Sequence, residues 1–148
     1  MRVRTLAVLA VAVLIAADDR KEDAIKADKE KLQGTWRHVS VIGNGEKLPE
    51  DFVKRRRIII KDDKITEKEG EKTINEVAFK LDATKKPRVI DADPPGESGK
   101  DKTSLGIYSL EGDTLKFCFT DPGQERPTDF TSNPGSGRTL IVFKREKP

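Results

Sequence analysis

Few residues in this chain are equipped for chemistry. His38 is the only histidine and Cys118 the only cysteine. Zinc ligation by the usual histidine and cysteine sets is therefore absent, and one cysteine cannot form an internal disulfide. The richest stretch is DTLKFCFTDPGQERPTDF (113–130), which holds Cys118, three of the six phenylalanines, and Arg126 among Asp121, Glu125 and Asp129. A lysine beside a thiol lowers its pKa, and Lys116 shares a strand face with Cys118. No histidine or second cysteine stands near, so an apolar filler under Ile107 is the expected role. Arg126 reads as the cation of an ion pair within its own loop; a substrate-facing arginine is the alternative.

Other patterns lead nowhere catalytic. Ser98 in GESGK (96–100) lacks the Gly-x-Ser-x-Gly elbow. The same run lacks the spacing of a phosphate-cradling P-loop. Asp91, Asp93, Glu97 and Asp101 could offer oxygen ligands to calcium, but their spacing does not match an EF-hand. They are read as a solvated acidic loop. Paired-carboxylate hydrolysis depends on acids meeting in space, and chance pairs are expected among 26 acids. The expectation is a non-enzyme with no cofactor and no metal.

The elements that must position these residues are short. From Gly34 onward, β-rich runs alternate with turn residues: 35–42, 56–61, 64–69, 74–82, 87–93, 103–111, 114–120 and 138–145. Eight strands of this spacing, with no convincing internal helix, predict an antiparallel sandwich or barrel. LPEDFVK (48–54) fits a single helical turn. With Gly112-Asp113 as a two-residue turn, Leu110 faces Leu115, Tyr108 faces Phe117 and Ile107 faces Cys118. Tyr108, Leu110, Leu115, Phe117 and Phe119 then share the core face, and a one-residue slip would destroy that segregation. Trp36, His38 and Ser40 alternate onto one side of the first strand. If that side is the interior, His38 and Ser40 add polar groups to an apolar lining; a hydrogen-bonded or rim-exposed histidine is the plainer alternative.

The loop DPGQERPTDFTSNPGSG (121–137) is too long for an ordinary hairpin, and reads as a lid or an ordered Ω-like loop anchored by Phe130. Before the strands, residues 18–33 lack Pro and Gly and carry only two large apolar residues, Ile25 and Leu32. They predict a charged, solvated helix or tether.

The first residues address compartment. MRVRT followed by the uncharged run 6–17 has the basic start, short apolar stretch and small-residue end of a signal peptide. At about 1.5 Å per residue the apolar run is too short to span a bilayer. Cutting after Ala17 leaves Ile15 where a small residue is preferred, so a retained N-terminal anchor stays open. The organisation read is signal peptide 1–17, charged helix or tether 18–33, and one β domain 34–148, with an extracytoplasmic, periplasmic or secreted location and no membrane span after cleavage. The whole chain carries net charge +3. Without Arg2 and Arg4 it falls to about +1, which removes the basic excess that a nucleic-acid binder needs. Arg55-Arg56-Arg57 is the one dense basic run and reads as a solvated strand end.

LQGTW (32–36) resembles the Gly-x-Trp signature that opens lipocalins, and FKR (143–145) stands where that family ends its last strand. The resemblance implies that Gly34, Trp36 and Arg145 form a structural signature, with the Arg145 guanidinium across the Trp36 face. With PRVID (87–91), LGIYSLEGDTLKFCF (105–119) and ERPTDF (125–130), residues 32–145 resemble an uncharacterised lipocalin-like domain family of planctomycete bacteria. In that family Arg126 and Phe130 belong to the signature block. The resemblance implies an all-β, eight-stranded antiparallel calycin-type barrel and export, and brings no activity or site residue.

Two functions are carried forward. One is a binding module for a small apolar or amphipathic ligand, with His38, Tyr108, Phe117 and Phe119 lining the barrel. The other is an envelope structural or protein-interaction domain, its partner unknown, whose barrel is packed solid. Small eight-stranded barrels do either.

Overall fold

The computed structural model describes residues 18–147 except 98 and 100. The expected signal peptide and Ser98 lie outside the described residues. A helix, α1, runs over 18–32. It is followed by β1 (Gly34–Gly43), β2 (Glu46–Lys47), α2 (Glu50–Val53), β3 (Arg56–Lys61), β4 (Lys64–Glu69), β5 (Lys72–Asp82), β6 (Arg88–Asp93), β7 (Ser104–Glu111), β8 (Thr114–Thr120) and β9 (Arg138–Arg145). The strands form an antiparallel meander in the order β2-β1-β3-β4-β5-β6-β7-β8-β9. A further pairing of β9 with β1 closes β1 and β3 to β9 into an eight-stranded barrel of the lipocalin-like kind. Closure leaves those eight strands without a free edge. The two-residue β2 is an addition that no hydrophobic run announces, and α2 is the helical turn expected over 48–54.

The β7–β8 register is the one required by the apolar pattern: Tyr108 pairs Phe117, Leu110 pairs Leu115 and Ile107 pairs Cys118. Gly106 completes the ladder opposite Phe119, whose ring lies over it; a Cβ at Gly106 would fall 2.5 Å from Phe119 Cδ1. The interior cluster joins Trp36, Ile58, Ile60, Ile65, Phe79, Ile90, Tyr108, Leu115, Phe117 and Phe143, with Leu32 inserted from α1.

β1 departs from simple alternation. Its pairing with β9 slips between His38 and Ser40, leaving Val39 as the extra residue of a bulge, half exposed at 50%. Ser40 then pairs Val142, and buried Val41 pairs Ile141. Ser40 therefore leaves the lining side and does not join His38, contrary to the strict two-residue period.

α1 is a docked element and not a tether. Asp28 is buried, accepts a hydrogen bond from Tyr108 Oη at 2.6 Å, and pairs with Arg88 Nη1 at 2.9 Å. Lys21 reaches Asp82 at 3.5 Å. Trp36 Nε1 donates to the Leu32 carbonyl at 2.9 Å, and Arg145 Nη1 donates to Gln33 O at 2.9 Å. These bonds satisfy carbonyls near the helix C-terminus that lack intrahelical donors. None of the described helices is long and apolar enough to cross a membrane.

Loop 121–137 is pinned at several points. The fully buried anchor is Pro127, while Phe130 is only half-buried and stays outside the main apolar cluster. Arg126 does not pair within its loop. Its Nη1 donates to Gly106 O at 2.9 Å and lies 2.7 Å from Asp91 Oδ1 on β6. Because the guanidinium N–H bonds are directed at the carbonyls of Gly106 and Ile90, the Asp91 contact is an ion pair without hydrogen-bond alignment. Asp129 pairs instead with Arg138 at 3.0 Å. Ser132 Oγ donates to Arg138 O at 2.8 Å and accepts from Gly45 N at 3.1 Å.

Candidate functional site

The barrel interior divides along its axis. Toward α1 it is filled by Leu32, Trp36, Tyr108 and Leu115, all at 0–1% exposure. Toward the opposite end lies a cavity of about 230 Å³ to which all eight barrel strands contribute. Ile58, Ile65, Val77, Ala92 and Ile141 supply its aliphatic wall, and Phe117, Phe119 and Phe143 its aromatic one. The aromatic side is an edge-to-face cluster. Ring centroids stand 5.5 Å apart for Phe117–Phe119 and 5.3 Å for Phe117–Phe143, within the favoured range for such pairs. Exposed Asn75 and half-buried Ser104 and Thr139 mark the solvent side.

Two ionisable groups share this wall, His38 and Glu67. The His38 side chain is 2% exposed, its Nε2 is 3.4 Å from Glu67 Oε1, and its ring meets Phe143 edge-on at 4.8 Å. Glu67 Oε1 also accepts a hydrogen bond from Arg56 Nη1 at 3.2 Å. Arg56 in turn stacks its guanidinium 3.9 Å from the Phe52 ring centroid of α2. The His38 imidazole, followed by the Arg56 guanidinium, holds the Glu67 carboxyl below the ordinary glutamate range against the opposing effect of burial. The other nitrogen, His38 Nδ1, is buried and has no hydrogen-bond partner among the described residues. Unpartnered buried polar atoms are uncommon in folded proteins.

Of the residues expected to line the interior, the structure brings together His38, Phe117 and Phe119. Tyr108 does not join them. Its hydroxyl is committed to Asp28 at the helix-plugged end, and burial, then the Asp28 hydrogen bond, raise its pKa well above the usual phenol range. The physical reason is the length of the barrel: a side chain on the inner face can lie at either end, and α1 closes the end occupied by Tyr108.

Cys118 is fully buried, with loop 121–137 reaching over it through Thr131. Its Sγ lies 3.5 Å from Thr131 O, and burial raises its thiol pKa. The acidic loop resolves into separate tasks: Asp91 meets Arg126, and Asp93 accepts from Thr103. Among the described residues no group of three or more His, Cys, Asp or Glu side chains could hold a metal. The basic run is likewise paired, Arg55 with Glu69 at 3.9 Å, Arg56 with Glu67 at 3.2 Å and Arg57 with Glu71 at 3.7 Å.

Glu67 is the residue the sequence reading missed, although its position was legible. In KITEKE it lies two residues after Ile65, so one inward residue implies the other. Its meeting with His38 depends on β1 and β4 flanking β3, which local pattern does not reveal. No protein-family model, curated protein or solved structure matches this chain.

Proposed function

We propose that this chain is an exported binding module of the planctomycete lipocalin-like kind, which holds one small, largely apolar molecule at the open end of its barrel. The observation that carries the reading is the cavity, an unfilled, mostly apolar space of about 230 Å³ with the His38 side chain among its lining residues. That volume exceeds the roughly 150 Å³ apolar void that accepts benzene. It falls below the roughly 300 Å³ at which drug-sized pockets begin, so the occupant is a molecule of one ring or a short chain.

The reading is binding and not turnover. Arg56 neutralises Glu67, and His38 Nδ1 has no hydroxyl or thiol partner to activate, whereas nucleophilic catalysis needs such a pair. Export rests on the basic and apolar N-terminal run.

The test is native mass spectrometry of protein recovered from an exporting host. A mature mass lacking the N-terminal run, accompanied by a small adduct lost on denaturation, supports the reading. Cytoplasmic retention at full mass counts against export. A protein that carries no adduct and takes up no single-ring probe at millimolar concentration is a packed structural domain, the second reading. That reading draws on the solidly filled α1 end of the same barrel.

A further inference from the structure

The binding reading leaves open which chemistry the site selects, and Glu67 carries that question further. Ile65 and Glu67 both border the cavity, two residues apart on the inner face of β4. Glu67 pairs across the sheet with Asn75 of β5, an exposed residue on the solvent side of the same cavity. Its carboxylate therefore belongs to the mouth. Around the barrel, β5, β6 and β7 separate β4 from β8 on one side, and β3, β1 and β9 on the other. Phe117 and Phe119 of β8 thus stand on the wall opposite Glu67.

The two oxygens of Glu67 differ. Oε1 accepts from Arg56 Nη1 at 3.2 Å and stands 3.4 Å from His38 Nε2. Among the described residues Oε2 makes no hydrogen bond, yet it is not one of the polar side-chain atoms buried without a partner. It therefore keeps accessible surface, and on an inward side chain that is 23% exposed this surface opens to the cavity and its mouth. Arg56 reaches Oε1 from beside Phe52 and is not itself part of the cavity wall. Among the described lining residues Glu67 is the only carboxylate, and no lysine or arginine accompanies it.

An ionised carboxylate only accepts hydrogen bonds, and it has lone pairs for a donor on each oxygen. The Glu67 carboxyl lies below the ordinary glutamate range, chiefly through His38, and is ionised at neutral pH. A ligand anion would meet that charge with no lysine or arginine on the wall to offset it. A ligand ammonium makes a charge-assisted bond, roughly twice as strong as a neutral one. At the mouth its remaining N–H groups stay hydrated, which avoids the cost of burying a charge completely.

Resting on the binding reading above, we propose that the cavity selects a small primary amine with a one-ring or short-chain body. The ammonium donates to Glu67 Oε2 at the mouth, and the apolar body extends toward Phe117 and Phe119. One charged contact in a mostly apolar pocket fixes the orientation of the ligand.

The probes are benzylamine, benzyl alcohol, toluene and benzoate, similar in shape and different in charge and hydrogen bonding. Each is titrated at pH 7 into the purified protein while the amide resonances of Val77, Ala92 and Ile141 on the cavity wall are followed. Benzylamine should bind saturably and roughly tenfold more tightly than benzyl alcohol, with benzoate the weakest of the four. Glu67→Gln should reduce benzylamine to the level of benzyl alcohol and leave toluene unchanged.

If benzyl alcohol or toluene binds as tightly as benzylamine, the amine proposal is overturned while the cavity remains a binding site. Benzoate binding more tightly than benzylamine overturns it as well, as does full benzylamine affinity in a folded Glu67→Gln protein. If none of the four moves the wall resonances, the binding reading falls and takes this proposal with it. The ranking in the unsubstituted protein decides between these outcomes even where Glu67→Gln fails to fold.

Discussion

The Arg145 guanidinium lies 4.2 Å from the Trp36 ring centroid, and the two residues are also direct cross-strand partners in the β1–β9 pair that closes the barrel. Arg145 additionally donates to Gln33 O and Lys31 O and approaches Asp113 at 3.7 Å. One side chain thereby joins the last strand, the first strand, the end of α1 and the β7–β8 turn. Arg145→Ala removes a cation–π contact worth about 0.5–2 kcal/mol and hydrogen bonds worth about 1 kcal/mol each. The expected loss is roughly 2–4 kcal/mol in urea denaturation, with Arg145→Lys recovering less than half. An unchanged midpoint for Arg145→Ala would remove this closure from the account.

Gly34 makes that approach sterically available. Its φ is +126°, and a Cβ there would stand 3.1 Å from Arg145 Nη1. Gly34→Ala is expected to cost about 1–3 kcal/mol. In combination with Arg145→Ala the two losses should sum to less than their parts, because the alanine contact disappears with the guanidinium. Strict additivity would show that the dihedral alone is responsible.

Tyr108 and Asp28 test whether α1 belongs to the folded unit. Tyr108→Phe keeps the ring and removes one buried hydrogen bond, an expected loss of about 1–2 kcal/mol. Asp28→Ala leaves both Tyr108 and Arg88 without their acceptor and should cost more. A double-mutant cycle reads their coupling directly. Coupling near zero would mean that the helix contributes nothing to the barrel beneath it.

The Glu67 carboxyl lies below its ordinary value of 4.5, chiefly through His38 and then Arg56. A carboxyl depressed by folding stabilises the native state above its unfolded pKa, and that stabilisation fades as pH falls through the folded value. Glu67→Gln cannot titrate. The gap in urea midpoint between the original protein and Glu67→Gln should therefore be full above about pH 5 and shrink toward pH 3. A gap independent of pH would place the carboxylate outside any favourable charge pairing.

Cys118 is expected to be inert while the fold is intact. Burial raises its thiol pKa, and the loop carrying Thr131 covers it. Alkylation by iodoacetamide should be on the order of a hundredfold slower in native protein than in urea. Native reaction at the free-thiol rate would show that loop 121–137 opens readily, despite Pro127 and the Arg126–Asp91 pair.

Much of the barrel was legible from residue order. Alternation in 104–111 and 114–120 allows one register, because a slip would turn Phe117 and Leu115 to solvent. Strands β3, β4, β8 and β9 lie where their β-rich runs place them. Less legible were features that local period cannot encode. The bulge at Val39 reversed Ser40 and Val41, and α1 divided the interior, so Tyr108 became part of a plug while Phe117 and Phe119 border a space.

What the sequence determined by itself is the sheet: the eight β-rich runs of the barrel, the β7–β8 hairpin register and the inward aromatic face. These follow from short-range sterics and a period of two. Only the tertiary structure decided the polar partners. Arg126 bypasses three nearby acids for Asp91, and His38 meets Glu67 across β3. Coulombic and hydrogen-bond partners are chosen by distance in space, and barrel closure sets that distance for residues far apart along the chain.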